Sequence, residues 1–298
     1  MPQPRKITKA VIPAAGYGTR MLPATKALPK EMLPVAGKPL IQYAIEEAAA
    51  SGIDTVILVV RSRPSLIESY FAFDPALDAF LRHRGQEDLA AEIDHLRAMV
   101  RVEYVLQPEP RGLAHAICCA RPILGDEPFA VLLPDVIIAA AEPVTLQLLR
   151  ARESQGGAAI AVREVEPVDV RRHGIAAVER RPARSSEPLR VIGLIEKPAI
   201  KDAPSRIGIF GRYALEASIW DAIAQTRTGM QGEVQLTDAL HILCQQHILS
   251  GVLFEGSHYD AGDRLGYLKA NVELSLRDPA LRQPCLEYLE KLQAVSSC

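Results

Sequence analysis

The segment Ala14-Ala15-Gly16-Tyr17-Gly18-Thr19-Arg20 is the part of this 298-residue chain whose residue types and spacing best suit chemistry on phosphate. A glycine-rich turn after a strand presents several backbone N–H groups to one anion, and glycine removes the Cβ that would hold the chain off. Two familiar phosphate loops do not fit. A dinucleotide fingerprint needs a third glycine where Met21 stands, and a Walker A loop needs glycine at Met32 and Ser or Thr in place of Pro39. Instead the turn is followed by Arg20 and then Lys30, with Pro23, Pro29 and Pro34 stiffening the connection and opposing a helix. Two cations facing one loop suit a polyphosphate, and a cradle of this kind serves several phosphate chemistries.

The elements that must position these residues are legible around them. Ala10–Ala15 reads as a buried strand and Pro39–Ser51 as a helix with Gly52 as its C-cap. Thr55–Val60 (TVILVV) is a β-branched run without polar alternation, the pattern of a central parallel strand. Together they make a βαβ unit. Strands are expected at Val102–Leu106 and Phe129–Leu133, with a helix from about Gly112 to Ala120 between them, continuing a doubly wound sheet. Residues 61–99 turn helical and charged, with surface helices at Asp74–Leu81 and Glu87–Arg97, and read as an elaboration on the sheet. After about residue 150, strands at Ala158–Val165, Ile175–Glu179, Val191–Ile195 and Ile207–Tyr213 have short connections, which suggests a more antiparallel half. Arg180–Pro188 reads as a solvated loop, and helices are expected near Leu236–Gln246 and Leu265–Arg277.

Composition bounds the partners. The length allows one large α/β domain or two smaller ones. A formal net charge of −2 gives no global attraction for nucleic acid or an anionic membrane, so an anionic substrate must be met by a local site. The five cysteines (Cys118, Cys119, Cys244, Cys285, Cys298) are odd in number, sparse and without a CxxC pair, which favours a reducing cytoplasm over a disulfide framework or a zinc cage. The first apolar stretch is broken by Pro13 and Gly16, too early for a signal sequence, and there is no run of about 18 apolar residues to span a membrane.

Lys9–Ile53, KAVIPAAGYGTRMLPATKALPKEMLPVAGKPLIQYAIEEAAASGI, closely resembles the opening of the bacterial UTP–glucose-1-phosphate uridylyltransferases, also called UDP-glucose pyrophosphorylases. Later segments resemble that family in the same order: GLAHAICCARPILGDEPFAVLLPDV (112–136), GLIEKP (193–198), GRYAL (211–215), GEVQLTDAL (232–240) and YDAGDRLGYLKA (259–270). The resemblance covers almost the whole chain. It implies an α/β fold of the nucleotide-diphospho-sugar transferase type, a Rossmann-like, mixed but mostly parallel sheet flanked by helices. It implies a single nucleotidyltransferase domain over 1–298, with a nucleotide-binding half at about 1–150 and a sugar-binding, C-terminally helical half at about 151–298.

The implied reaction has the phosphate of glucose 1-phosphate attacking the α-phosphorus of UTP in line and expelling pyrophosphate. No protein nucleophile is needed, so catalysis rests on charge neutralisation and alignment. By resemblance, Arg20 and Lys30 hold the triphosphate, and Ala14, Ala15 and Gly16 contact the nucleotide through their backbone. Gln107 reads the uracil edge and Gly112 approaches the base. Asp135, emerging where FAVLLP ends, is a candidate Mg²⁺ ligand at the carboxyl end of a strand, and the family pattern pairs it with Asp260. Lys197 neutralises the sugar phosphate, Glu196 accepts from sugar hydroxyls and Gly174 offers backbone contacts to the sugar. Glu233 and Asp238 are assigned to sugar-site architecture or subunit contact. A cytoplasmic homo-oligomer, dimer or tetramer, is implied.

His115 is expected to pack or hydrogen-bond on its helix; His241 and His247 lack metal-ligand spacing, and Cys118-Cys119 reads as core. Four positions depart from the family pattern: Ala114 for glycine, Ala261 for cysteine, His173 for the tyrosine before Gly174, and Arg206 near an asparagine. They are expected around the sugar more than the triphosphate. The alternatives are a related transferase for another sugar 1-phosphate or dTTP, and a non-catalytic regulatory paralogue. The joint retention of Arg20, Lys30, Asp135, Lys197 and Asp260 argues against the paralogue.

Overall fold

The computed structural model describes residues 5–179, 187–229 and 232–296. Its centre is a nine-stranded sheet. The strands in chain order are β1 Lys9–Ala14, β2 Thr55–Val60, β3 Arg101–Leu106, β4 Phe129–Leu132, β5 Ala158–Glu164, β6 Gly174–Val178, β7 Leu189–Glu196, β8 Ile207–Leu215 and β9 Leu249–Leu253. They lie in the order β3-β2-β1-β4-β8-β5-β9-β7-β6, with a further pairing of β8 to β6.

β1, β2, β3 and β4 run parallel, in register from Lys9 opposite Thr55 to Ala14 opposite Val60. All six residues of β2 are buried, because a parallel strand covered on both faces has no polar side to offer. Side-chain alternation then sorts neighbours into two cores. Val11, Ile57, Val59, Phe129 and Val131 pack on one face with the helices Leu113–Cys119, Ile219–Gln225 and Leu236–Gln246. Ala10, Ile12, Val56, Leu58 and Leu132 pack on the other with Leu40–Ala50 and Val144–Gln155. Phe129 stacks on Trp220 at 5.0 Å between ring centroids and closes the first of these cores.

The fold class is the expected one, and the strand and helix positions agree to within a residue or two. Leu236–Gln246 agrees residue for residue. Residues 180–186 of the expected solvated loop lie outside the described residues. The second half is antiparallel at β4–β8, β8–β5, β9–β7 and β7–β6, while β5 and β9 run parallel. Several elements had not been read from the sequence, among them β9, the helices Val144–Gln155, Ile219–Gln225 and Arg282–Ser296, and a ribbon that pairs Val136–Ala139 with Ser257–Asp260. Among the described residues no helix is long and apolar enough to cross a membrane.

Two consequences bear on function. The chain leaves β1 toward β2 and β3 on one side and returns to β4 on the other, so a crevice opens at the carboxyl ends of β1 and β4, where open α/β sheets bind ligands. The ribbon register sets Asp260 opposite Val136, delivering a second carboxylate to the end of β4.

Candidate active site

Beyond β1 the chain makes three single-turn helices, Thr19–Met21, Ala24–Lys26 and Lys30–Met32, where the prolines prevent a continuous helix. These turns fold Lys30 back over the glycine loop. Gly18 sits at φ 62° and starts the first turn, and a Cβ there would stand 3.0 Å from both the Lys30 Cβ and the Thr25 Cγ2, so only glycine lets the layers close. The Thr25 hydroxyl donates to the Gly18 carbonyl at 2.8 Å and fastens the fold-back.

The Lys30 ammonium donates to Asp135 Oδ2 at 2.7 Å, and the Arg20 guanidinium stands 4.0 Å from the same oxygen. Lys30 is held at one place, whereas Arg20 is mostly exposed. Burial alone would push the Asp135 carboxyl up, but Lys30, at hydrogen-bond distance, and Arg20 bring it below its ordinary value. Burial would correspondingly lower Lys30, and Asp135 and Glu31 raise it, so both partners are charged. Glu31 is the converse case. It is 1% exposed, neither of its carboxyl oxygens has a hydrogen-bond partner among the described residues, and burial pushes its carboxyl up to about 7 despite Lys30 at 3.9 Å.

Two cavities meet at Asp135. The first is bordered by Ala15, Gly16, Lys30, Glu31, Gln107 and Gly112. The buried Gln107 spends its amide hydrogens on the Gly112 carbonyl at 3.2 Å and His115 Nδ1 at 2.9 Å, leaving its carbonyl oxygen to offer. Gly112, at φ 94°, runs so close to Val234 that a Cβ would stand 2.6 Å from its carbonyl oxygen. The second cavity is bordered by Arg20, Gly174, Glu196, Lys197, Thr237 and Asp260. Glu196 accepts from the Thr237 hydroxyl at 2.6 Å and lies 3.1 Å from the Lys197 ammonium. A Cβ on Gly174 would stand 2.9 Å from the Thr237 hydroxyl and 3.2 Å from Glu196 Oε2, so glycine keeps this corner open.

Asp260 turns Oδ1 toward the Gly262 amide at 3.0 Å. A Cβ on Gly262 would stand 3.0 Å from Asp135 Oδ2, 3.0 Å from Asp260 Oδ1 and 2.7 Å from Arg20 Nη2, so both carboxylates and one cation converge on the point that a methyl group there would occupy.

Of the residues expected to contact nucleotide, sugar phosphate or metal, all but one border these cavities. Ala14 does not; it ends β1 with its methyl group packed into the core below. Three of the four departures also fall elsewhere than expected. Ala114 is fully buried in the core beneath the first cavity, and Arg206 pairs with Glu164 outside both. Ala261 is buried too, its amide donating to the Asp135 carbonyl at 2.8 Å, and His173 alone of the four borders the second cavity. Asp238 is near Glu196 but borders neither cavity, whereas Glu233 borders the first. His115 hydrogen-bonds as expected, and the four cysteines among the described residues are free thiols.

Three site residues were missed. Arg172 approaches Asp260 at 3.4 Å and Asp263 at 2.5 Å; the basic pair before His173 was its signal. Thr237 lay inside the GEVQLTDAL segment, and Glu31 inside KEMLP, with nothing in either to say which way the side chain turns.

This geometry has known relatives. The nucleotidyl transferase family model matches residues 9–276. The chain belongs to the nucleotidyl transferase family. It is 42% identical over 286 residues to UTP–glucose-1-phosphate uridylyltransferase YngB of Bacillus subtilis, covering 96% of this chain and 95% of that one. It is also 42% identical, over 289 residues, to UTP–glucose-1-phosphate uridylyltransferase 2 of Staphylococcus saprophyticus, covering 97% and 99%. Among solved structures, the UTP-bound UGPase from Acinetobacter baumannii superposes with a TM-score of 0.89 at 37% identity, over 96% of this chain and 99% of that one. This nucleotidyl transferase is therefore an enzyme that shares the fold of that structure.

The Glu31 carboxyl carries a pH consequence. Its folded value of about 7 lies above the ordinary 4.5, so the native state keeps a proton that the unfolded state releases in this interval, and stability falls as pH rises from 4.5 to 7 and levels off above. Glu31→Gln is expected to remove this slope. Denaturant unfolding at pH 5 and pH 8 checks it: the wild type should lose about 2–3 kcal/mol more than the variant between the two. Equal losses in both would mean that the carboxyl titrates normally.

Proposed function

We propose that the enzyme transfers a uridylyl group from UTP to glucose 1-phosphate, forming UDP-glucose and pyrophosphate. The observation that carries this reading is the junction at Asp135: a cavity with the Gln107 amide and Gly112 at one end joins one with a hydroxyl-accepting end at Glu196, and two cations and two carboxylates stand at the join. The names of the relatives and the UTP in the Acinetobacter structure supply the substrates.

The nucleotide would lie in the first cavity, its phosphates on the backbone of Ala15 and Gly16 and against Lys30, its uracil N3–H donating to the free carbonyl of Gln107. Glucose 1-phosphate would lie in the second, with sugar hydroxyls on Glu196 and its phosphate against Lys197. Lys30 neutralises the α-phosphate as charge shifts toward the leaving pyrophosphate, which Arg20, free to move, follows. With both anions held in line, displacement needs no protein nucleophile, and the buried setting strengthens each charge interaction.

The two carboxylates that converge at Gly262 suit a divalent ion. Among the described residues no group of three or more His, Cys, Asp or Glu is placed to hold a metal, and Mg²⁺ characteristically takes one or two carboxylates and completes its shell with phosphate oxygens and water. Asp135 and Asp260 would hold it, and it would neutralise the non-bridging oxygens of the reacting phosphate.

The enzyme is proposed to work in the cytoplasm, where its thiols stay reduced, as a homo-oligomeric dimer or tetramer. Such an assembly would cover apolar side chains exposed on helices, among them Leu77, Phe80 and Tyr288.

Purified protein incubated with Mg²⁺, each nucleoside triphosphate and a panel of sugar 1-phosphates is expected to release pyrophosphate fastest with UTP and glucose 1-phosphate. Turnover with no pair would overturn the enzyme reading, and a different preferred pair would replace the substrates. The convergence at Gly262 gives a second test. Gly262→Ala puts a methyl group between the two carboxylates at a position whose backbone is not left-handed, so the fold should persist, with Tm within a few degrees. Its kcat is expected to fall by about 100-fold, the scale set by small misplacements at a reacting centre. An unchanged kcat would show that this point is not used.

A further inference from the structure

The segment GRYAL, prominent in the sequence, has no part in the chemistry above, yet its arginine is the largest fully buried side chain among the described residues. Arg212 projects from β8 beneath the turn that carries Asp135. Its Nε and Nη2 donate to Glu47 Oε2 at 2.9 and 2.8 Å. Nη1 donates to the carbonyls of Leu133 at 3.0 Å and Gly211 at 3.2 Å, and Nη2 also donates to the Val136 carbonyl at 2.8 Å. These five bonds use every N–H a guanidinium has. On the other side, Glu47 Oε1 accepts from the Thr145 amide at 3.0 Å and hydroxyl at 2.7 Å, so the carboxylate is saturated as well.

The choice of partners is the informative part. Leu133 and Val136 are the residues on either side of Pro134-Asp135, so one planar group grips both ends of the turn while the helix Leu40–Ala50, through Glu47, holds that group from behind. A buried ion pair is a weak device for stability alone, since apolar residues of similar volume often serve as well or better. A fork of fixed geometry with all donors aimed is, by contrast, suited to fixing a backbone in place. We infer that Arg212, braced by Glu47, is a positioning residue that sets the Asp135 carboxylate at the junction of the two cavities. The inference rests on the reading that Asp135 works at that junction.

The test uses the full-length chain with Arg212→Met and Glu47→Leu combined, which removes both charges together, and Arg212→Lys, which keeps the charge and loses the fork. Hydrogen exchange of the ligand-free protein over 133–136 should speed up by about 10-fold or more in both variants relative to other strand ends. With UTP and glucose 1-phosphate, kcat should fall about 10- to 100-fold and half-saturating Mg²⁺ should rise, while KM for UTP moves less than about 3-fold. Unchanged exchange over 133–136, or lowered stability with kcat and Mg²⁺ dependence per folded molecule unchanged, would reduce the pair to a structural role and overturn the inference. If the double variant does not fold, Arg212→Lys carries both readouts. Because exchange is read without substrate, it judges the brace even if the wild type proved to prefer other substrates.

Discussion

The contact between Lys30 and Asp135 is the interaction on which the rest of the site depends. It joins residues 105 positions apart, one on the proline-stiffened loop after β1 and one on the turn after β4. The sheet makes it possible by placing those two parallel strands side by side at the point where the chain reverses direction across the sheet. Two anionic substrates can meet only where positive charge is fixed in advance, and a buried ammonium stays charged only beside a carboxylate. One ion pair therefore answers both needs: it keeps the cation alive in a buried place and marks the boundary between the cavity at Gln107 and the cavity at Glu196.

Around that contact the chain uses buried charge in three ways. Arg212 and Glu47 satisfy each other completely and work on the backbone. Lys30 and Asp135 satisfy each other in part and leave valences facing the cavities. The Glu31 carboxyl has no hydrogen-bond partner among the described residues, and burial raises it to about 7. The series runs from scaffold to site, and the degree of satisfaction falls as the ligand space is approached. Glycines follow the same logic, closing layers at Gly18 and Gly112 and leaving room at Gly174 and Gly262.

What the sequence disclosed depended on whether a signal was local. TVILVV and the glycine loop could be read directly, because burial on two faces and a missing Cβ each leave a mark in a few adjacent residues. Asp135 was legible as a residue following a buried strand. Asp260 was reached by resemblance, since its place depends on a ribbon pairing Val136–Ala139 with Ser257–Asp260 that no local pattern announces. Arg172, Glu31 and Thr237 escaped because their side chains are aimed by neighbours distant in sequence. Ala114 and Arg206 were placed near the sugar by motif position alone, and packing put the first in the core and the second outside both cavities.

The central claim is that these residues neutralise and align two anions for direct displacement without a covalent enzyme intermediate. Exchange of labelled pyrophosphate into UTP measures this most directly. Direct displacement allows exchange only when UDP-glucose is present to be attacked, and that is the expected result with this enzyme and Mg²⁺. Exchange into UTP in the absence of any sugar nucleotide or sugar 1-phosphate would require a uridylylated side chain and would contradict the account, as would no exchange under either condition.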